Sequence, residues 1–223
     1  MLFSQLNTIT YTTKGFPIGS FYGYEVDHVA KDQAEIDALN NKAPGGKYQD
    51  GLLPGDFIFR DLDGDGLVND KDQKVLGNPM PKFLYGINAG ASFKNFDINV
   101  VISGVSGVKL VNATKFFTLN ASTGQNATTG ILDRLQKPGD VASLPRAAQN
   151  TTATGNLRPS DWFVENGNYM RLRNLTIGYT LFKNTLNSFS GNVFQRIRIY
   201  FAAENLLTFT KYTGYDPEIS TGC

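Results

Sequence analysis

The sequence predicts an all-β, antiparallel fold, and three observations carry that prediction. Apolar and polar residues alternate along several runs of seven to twelve residues. The composition favours strands and turns, with 16 Phe, 10 Tyr and 23 Gly among 223 residues. The connections between the runs alternate between very short and very long.

The clearest unit is FLYGINAGASF (83–93), a Lys94-Asn95 turn, and FDINVVISG (96–104). Odd positions are apolar in the first run and even positions in the second. A two-residue turn therefore pairs Phe93 with Phe96, Ala91 with Ile98, Ala89 with Val100 and Ile87 with Ile102, all on one face. The other face collects Gly86, Asn88, Gly90, Ser92, Asp97, Asn99 and Ser103. A second pair of strands follows. Leu175, Ile177, Tyr179 and Leu181 alternate with Thr176, Gly178 and Thr180. Val193, Ile197, Ile199, Phe201 and Ala203 alternate with Arg196, Arg198, Tyr200 and Glu204. Arg171 and Arg173 share a face by the same spacing, and Arg196 and Arg198 do likewise. An earlier strand is expected within 15–26 and another in GDFIFR (55–60). One short helix is expected over 31–39, with Ala34, Ala38 and Leu39 on one face, ended by Pro44-Gly45-Gly46.

The turn at 94–95 is two residues long, whereas 27–82 and 105–168 each exceed fifty. Tight turns at one end of a sheet and long loops at the other are the pattern of an outer-membrane barrel. A soluble sandwich gives the same alternation with its apolar face turned inward, so periodicity alone leaves both open. The first residues have no basic and apolar leader pattern, and no apolar run approaches 18 residues. A soluble protein and an internal piece of a larger exported chain both fit those features.

Residues 61–72, DLDGDGLVNDKD, concentrate carboxylates in a chain of net charge +1. The EF-hand spacing requires oxygen ligands at positions 1, 3, 5, 7, 9 and 12, with glycine at 6. It places Asp61, Asp63, Asp65, the Leu67 carbonyl, Asn69 and Asp72 at those positions, with Gly66 at the sharp turn. Val68 takes position 8, which anchors an apolar side chain. Asp72 replaces the usual glutamate and is one methylene shorter. The expectation is a structural calcium ion in an EF-hand-like loop preceded by a strand rather than a helix; a solvated Asp/Gly turn is the plainer reading.

Other chemistries find little support. The near-neutral charge gives no electrostatic case for nucleic acid. The single histidine, His28, has no cysteine near it, and Cys223 is the only cysteine, so no thiolate metal site or intrachain disulfide is expected. No nucleophile elbow, Walker loop or dinucleotide fingerprint occurs. No catalytic residue is expected, and the chain reads as a non-enzyme.

Three ordered segments resemble one family. LPGDFIFRDLDGDGLVNDKDQKVLGNPMPKFLYGINAGASFKNFDINV (53–100), NGNYMRLRNLTIGYTL (166–181) and ENLLTFTKYTGYDPEIS (204–220) are similar to the C-terminal barrel region of SusC/RagA-type TonB-linked outer-membrane transporters. PIGSFYGYEVDHVAKDQAEID (17–37) fits as well, so the resemblance covers nearly the whole chain. It implies antiparallel strands of a partial transmembrane β-barrel with long extracellular loops, residues 1–223 being the C-terminal portion and the signal peptide and plug lying outside it. It also implies glycan or peptide import across the outer membrane, energised by TonB through the plug, with a SusD-like surface lipoprotein as partner. A secreted soluble β-module with a structural calcium loop, of carbohydrate-binding type, is the alternative. The long segments 27–82 and 105–168 are expected outside the cell, where the 61–72 loop would meet calcium and the partner would dock.

Overall fold

The computed structural model describes residues 9–119, 126–148, 155–183, 186 and 193–218. In chain order the strands are β1 (Thr10–Tyr11), β2 (Ser20–Tyr24), β3 (Val26–Val29), β4 (Phe57–Phe59), β5 (Gln73–Gly77), β6 (Phe83–Phe93), β7 (Phe96–Ser106), β8 (Lys109–Val111), β9 (Val164–Asn166), β10 (Tyr169–Phe182) and β11 (Arg196–Thr210). Helix α1 spans Gln33–Lys42 and α2 spans Thr114–Thr118. The chain divides into two compact units. One holds 1–80, 109–166 and 213–215, and the other holds 81–108, 167–212 and 216–223.

The second unit is a four-stranded antiparallel sheet in the order β11-β10-β7-β6. Its register follows the alternation residue for residue: Phe93 faces Phe96, Ala91 faces Ile98, Ala89 faces Val100 and Ile87 faces Ile102. Apolar rows continue across the sheet, Ile98–Ile177–Phe201 and Phe96–Tyr179–Ile199. The turn comes at Lys94, whose φ of 54° is left-handed, a conformation for which glycine or asparagine is the usual choice. A bulge between Leu172 and Asn174 shifts the alternation by one residue, so Leu172 and Leu175, three apart, pair with Ile102 and Val100 of the apolar row; on the polar face Arg171 sits opposite Ser103 and Arg173 Nε donates to Ser103 Oγ at 2.8 Å. The last strand begins at Arg196, so Val193 lies ahead of it.

The apolar face of this sheet is open to its surroundings. Phe83 is 64% exposed, Phe93 72%, Ile199 62% and Phe201 60%. A soluble sandwich would bury these side chains against a second layer. The polar face is not uniformly polar, since Leu84 and Tyr200 stand on it and are also exposed.

The other unit shows that the long segments are folded rather than loose. Tyr24, Val29, Phe57, Phe59 and Val68 form one core cluster, and Ala30, Ile36, Leu52 and Ile58 form a second. Ile9, Phe116 and Phe163 make a third, packed by Trp162 and Val164. Phe57 and Trp162 touch with ring centroids 5.7 Å apart, which joins the 27–80 segment to the 109–166 segment. So does buried Asp56, which accepts from Arg146 Nε at 2.8 Å and Asn156 Nδ2 at 2.9 Å.

Two local expectations need correction. The helix runs Gln33–Lys42 and buries Ile36, while Ala34 and Ala38 are exposed. Larger Ile36 and Leu39, three apart, outcompete the alanines for the core. The strand expected over 15–26 is split at Glu25 into β2 and β3, which join different sheets. The Glu25 carbonyl accepts the Arg60 N–H, and its carboxylate pairs with Arg60 and Lys74, so this residue links rather than extends.

Candidate metal centre

Strand β4 delivers the chain to the acidic loop, and Val68 anchors it in the core, 9% exposed beside Phe57 and Phe59. Between those fixed points Asp61, Asp63 and Asp65 each present a carboxylate oxygen within 4.8 Å of the others. Backbone N–H groups hold the three in place. Asp61 accepts from Gly64 at 2.6 Å and Gly66 at 2.8 Å, Asp63 from Asp65 at 3.1 Å, and Asp65 from Leu67 at 3.1 Å. These bonds offset part of the repulsion between the carboxylates and aim them at a common volume. Gly66 has φ 89°, and a Cβ there would lie 2.6 Å from Pro44 Cδ, so both backbone angle and space demand glycine.

The remaining expected ligands play visibly different parts. Asp72 is fully buried, and its oxygens accept from Leu62 N–H at 2.7 Å, Asp63 N–H at 3.4 Å and Asn69 N–H at 2.7 Å. It closes the loop by tying its end to its beginning. Asn69 caps the turn at Asp70–Asp72 through a bond from Lys71 N–H, and its Nδ2 donates to Asp65 Oδ2 at 3.1 Å. Three carboxylates with free lone pairs fit a hard, oxygen-preferring cation such as calcium. Asp72 has lone pairs left but sits outside the converging trio.

Sequence reasoning missed the residues that brace this loop. Tyr48 holds both of its ends: its hydroxyl donates to the Phe59 carbonyl at 3.0 Å and accepts from Asp61 N–H, and its carbonyl accepts from Val68 N–H at 2.7 Å. Tyr24 donates to Asp70 Oδ1 at 3.0 Å, and Arg158 lies over the Tyr24 and Phe59 rings at 5.4 and 5.9 Å. Arg158 is about ninety residues from the loop in sequence, so no local spacing could have announced it. Elsewhere in this unit Glu165 accepts from Lys115 Nζ at 2.8 Å, from Asn112 and from Thr213. Burial pushes its carboxyl up, but those donors outweigh it and hold it down at about 2.

On the polar face of the sheet, Asp97 and Arg198 pair at 2.6 Å across the middle strand. They meet directly above Gly178, where a Cβ would lie 2.5 Å from Asp97 Oδ1 and 2.6 Å from Arg198 Nη2. Arg171 and Arg173 are engaged by Glu218, and Arg171 also by Asp216 at 2.6 Å.

No family model matches the chain. It is 34% identical over 214 residues to TonB-dependent receptor P3 of Formosa agariphila, a match that covers 92% of this chain and 19% of that protein. It is 23% identical over 177 residues to TonB-dependent receptor SusC of Bacteroides thetaiotaomicron, covering 78% and 16%. A solved structure of the RagAB peptide importer in its open-open state superposes with a TM-score of 0.67 at 25% identity, over 96% of this chain and 21% of that one. The chain belongs to the SusC/RagA-type TonB-dependent receptors. It spans about a fifth of the length of these relatives. As a SusC/RagA-type chain its open sheet is a portion of a barrel wall, which accounts for the exposed apolar face. The soluble β-module is not favoured by these likenesses. Receptors of this type are outer-membrane proteins, and the named relatives are receptors and importers rather than enzymes.

Proposed function

We propose that this chain supplies part of the barrel wall and the folded extracellular cap of a TonB-dependent outer-membrane importer, which takes up glycans or peptides together with a SusD-like lipoprotein. The observation that carries this reading is the apolar face of the β6–β7–β10–β11 sheet, whose side chains are placed for lipid contact. The strand order supports an orientation. Phe83, Ser106, Tyr169 and Thr210 stand at one end of the sheet, where the long segments leave, and the Lys94-Asn95 turn is at the other. With the tight turn in the periplasm, the folded segments lie outside, available to a lipoprotein partner. The chain itself carries no chemistry in this reading; uptake is driven by TonB through the plug of the whole receptor.

Because Phe57–Trp162 and Asp56–Arg146 join the two long segments, they should be removed together. The whole receptor with 27–80 and 109–166 both replaced by short glycine turns is expected to insert normally but to lose lipoprotein capture or uptake. Full uptake and full capture by that variant would overturn the assigned orientation and role.

Within the cap, the 61–72 loop binds one calcium ion in this reading, through Asp61, Asp63, Asp65 and the Leu67 carbonyl, with Asn69 and Asp72 shaping the loop or completing the shell. Affinity on the order of 0.1–1 mM is enough for an extracellular site. Titration calorimetry, with Trp162 fluorescence as a second readout through its contact with Phe57, is expected to show saturable binding that Asp61→Asn with Asp65→Asn abolishes. A flat titration at several millimolar calcium would eliminate the site.

A further inference from the structure

His28, the only histidine of the chain, stands in β3 between two carboxylates. Its Nδ1 lies 2.7 Å from Asp27 Oδ2, and its Nε2 lies 2.8 Å from Glu35 Oε1 in the first turn of α1. A neutral imidazole has one N–H and one lone pair, so one of these contacts would set a lone pair against a carboxylate oxygen. Only the imidazolium can donate to both.

We propose that His28 is a proton-operated clasp, which pins the first turn of α1 to β3 through both carboxylates when protonated and loosens, keeping at most one of the two donated bonds, when neutral. From its own strand Asp27 faces it, and Asp27 also accepts from Arg60 Nε at 2.8 Å. Arg60 in turn pairs with Glu25, as does Lys74 of β5. From α1 comes Glu35, whose other oxygen accepts the Lys31 N–H at 2.8 Å while its own N–H is capped by Asp32 at 2.9 Å. From β4 the residue paired with His28 is Ile58, which brings no charge. Both anions touch the ring; the Arg60 guanidinium touches Asp27 instead, and the Lys31 backbone N–H touches Glu35.

The energetic sign follows from that arrangement. Burial by itself would lower the proton affinity of the ring, and the bonds to Glu35 and Asp27 outweigh it, so His28 titrates above its ordinary value. A folded-state value above the unfolded one stabilises fully below about pH 6.5 and is lost as pH rises through the raised value. Loosening does not unfold α1, because Ile36 stays buried against Ala30, Leu52 and Ile58. The clasp therefore adjusts how firmly the helix is held, engaged in mildly acidic surroundings and loosened in alkaline ones.

The test uses the 223-residue chain in detergent micelles with ¹³C-labelled histidine, which yields a single imidazole signal. The expected titration midpoint lies above that of free histidine, and Asp27→Asn with Glu35→Gln returns it to the free value or below. Protection factors of α1 amides, corrected for intrinsic exchange, are expected to fall about two- to five-fold as pH crosses the wild-type midpoint, and not to change in Glu35→Gln. A wild-type midpoint at or below that of free histidine overturns the clasp even if no variant folds. So does a midpoint indifferent to both substitutions, or flat protection through the titration.

Discussion

The proposed cap and the four-stranded sheet draw on the same residue types and put them to opposite use. In the cap, Phe57, Phe59 and Phe163 are at most 1% exposed. In the sheet, Phe83, Phe93 and Phe201 are at least 60% exposed, on strands just as regular. Alternation is thus a statement about two-facedness and says nothing of which face meets water. What separates the two environments is chain context. The cap interleaves its strands with turns, helices and buried ion pairs that close a core, whereas the sheet continues unbroken for 11 to 15 residues per strand, long enough to span a bilayer when tilted.

The largest effect should come from hollowing the cap. Phe59→Ala is expected to cost about 3–5 kcal/mol of cap stability, read as early loss of Trp162 fluorescence change on urea unfolding, with barrel insertion intact. Insertion failing along with it would mean that the two regions are not energetically separate. Next comes the face test on the sheet of the whole receptor. Ile87→Arg should cost on the order of 2–4 kcal/mol and Asn88→Arg, one residue on and pointing the other way, much less. Equal costs would erase the distinction between faces. The smallest effect sits at the tight turn: Lys94→Gly removes a left-handed non-glycine residue and should raise stability by up to about 1–2 kcal/mol, seen as a higher denaturant midpoint at unchanged slope.

Much of the sheet was legible because a two-residue turn and a period of two overdetermine the register; Phe93–Phe96 and Ile87–Ile102 could hardly pair otherwise. The acidic loop was legible in its trio, Asp61, Asp63 and Asp65, since their spacing is local. The bracing of that loop was not. Tyr48, Tyr24 and Arg158 act across 13, 46 and more residues, through contacts that exist only once the core closes. The helix face was misread because alanine spacing suggested a stripe, while the volume of Ile36 decided which side turned inward. The split at Glu25 was hidden for a similar reason: a residue inside an extended run was recruited by Arg60 and Lys74 from elsewhere.

The bond that the Phe57 N–H donates to Asn156 Oδ1 joins residues 99 apart, and Asn156 Nδ2 donates to Asp56 across 100. A core closed by such distant partners cannot finish until both segments have been made. Until the 156–163 stretch arrives, Phe57, Phe59 and the charge of Asp56 have no completed shelter, and the entropy of closing so long a loop opposes early docking. Closure of this core is therefore a late event, timed by the arrival of its second half, and in the interval its aromatic strand lies open to non-native contacts.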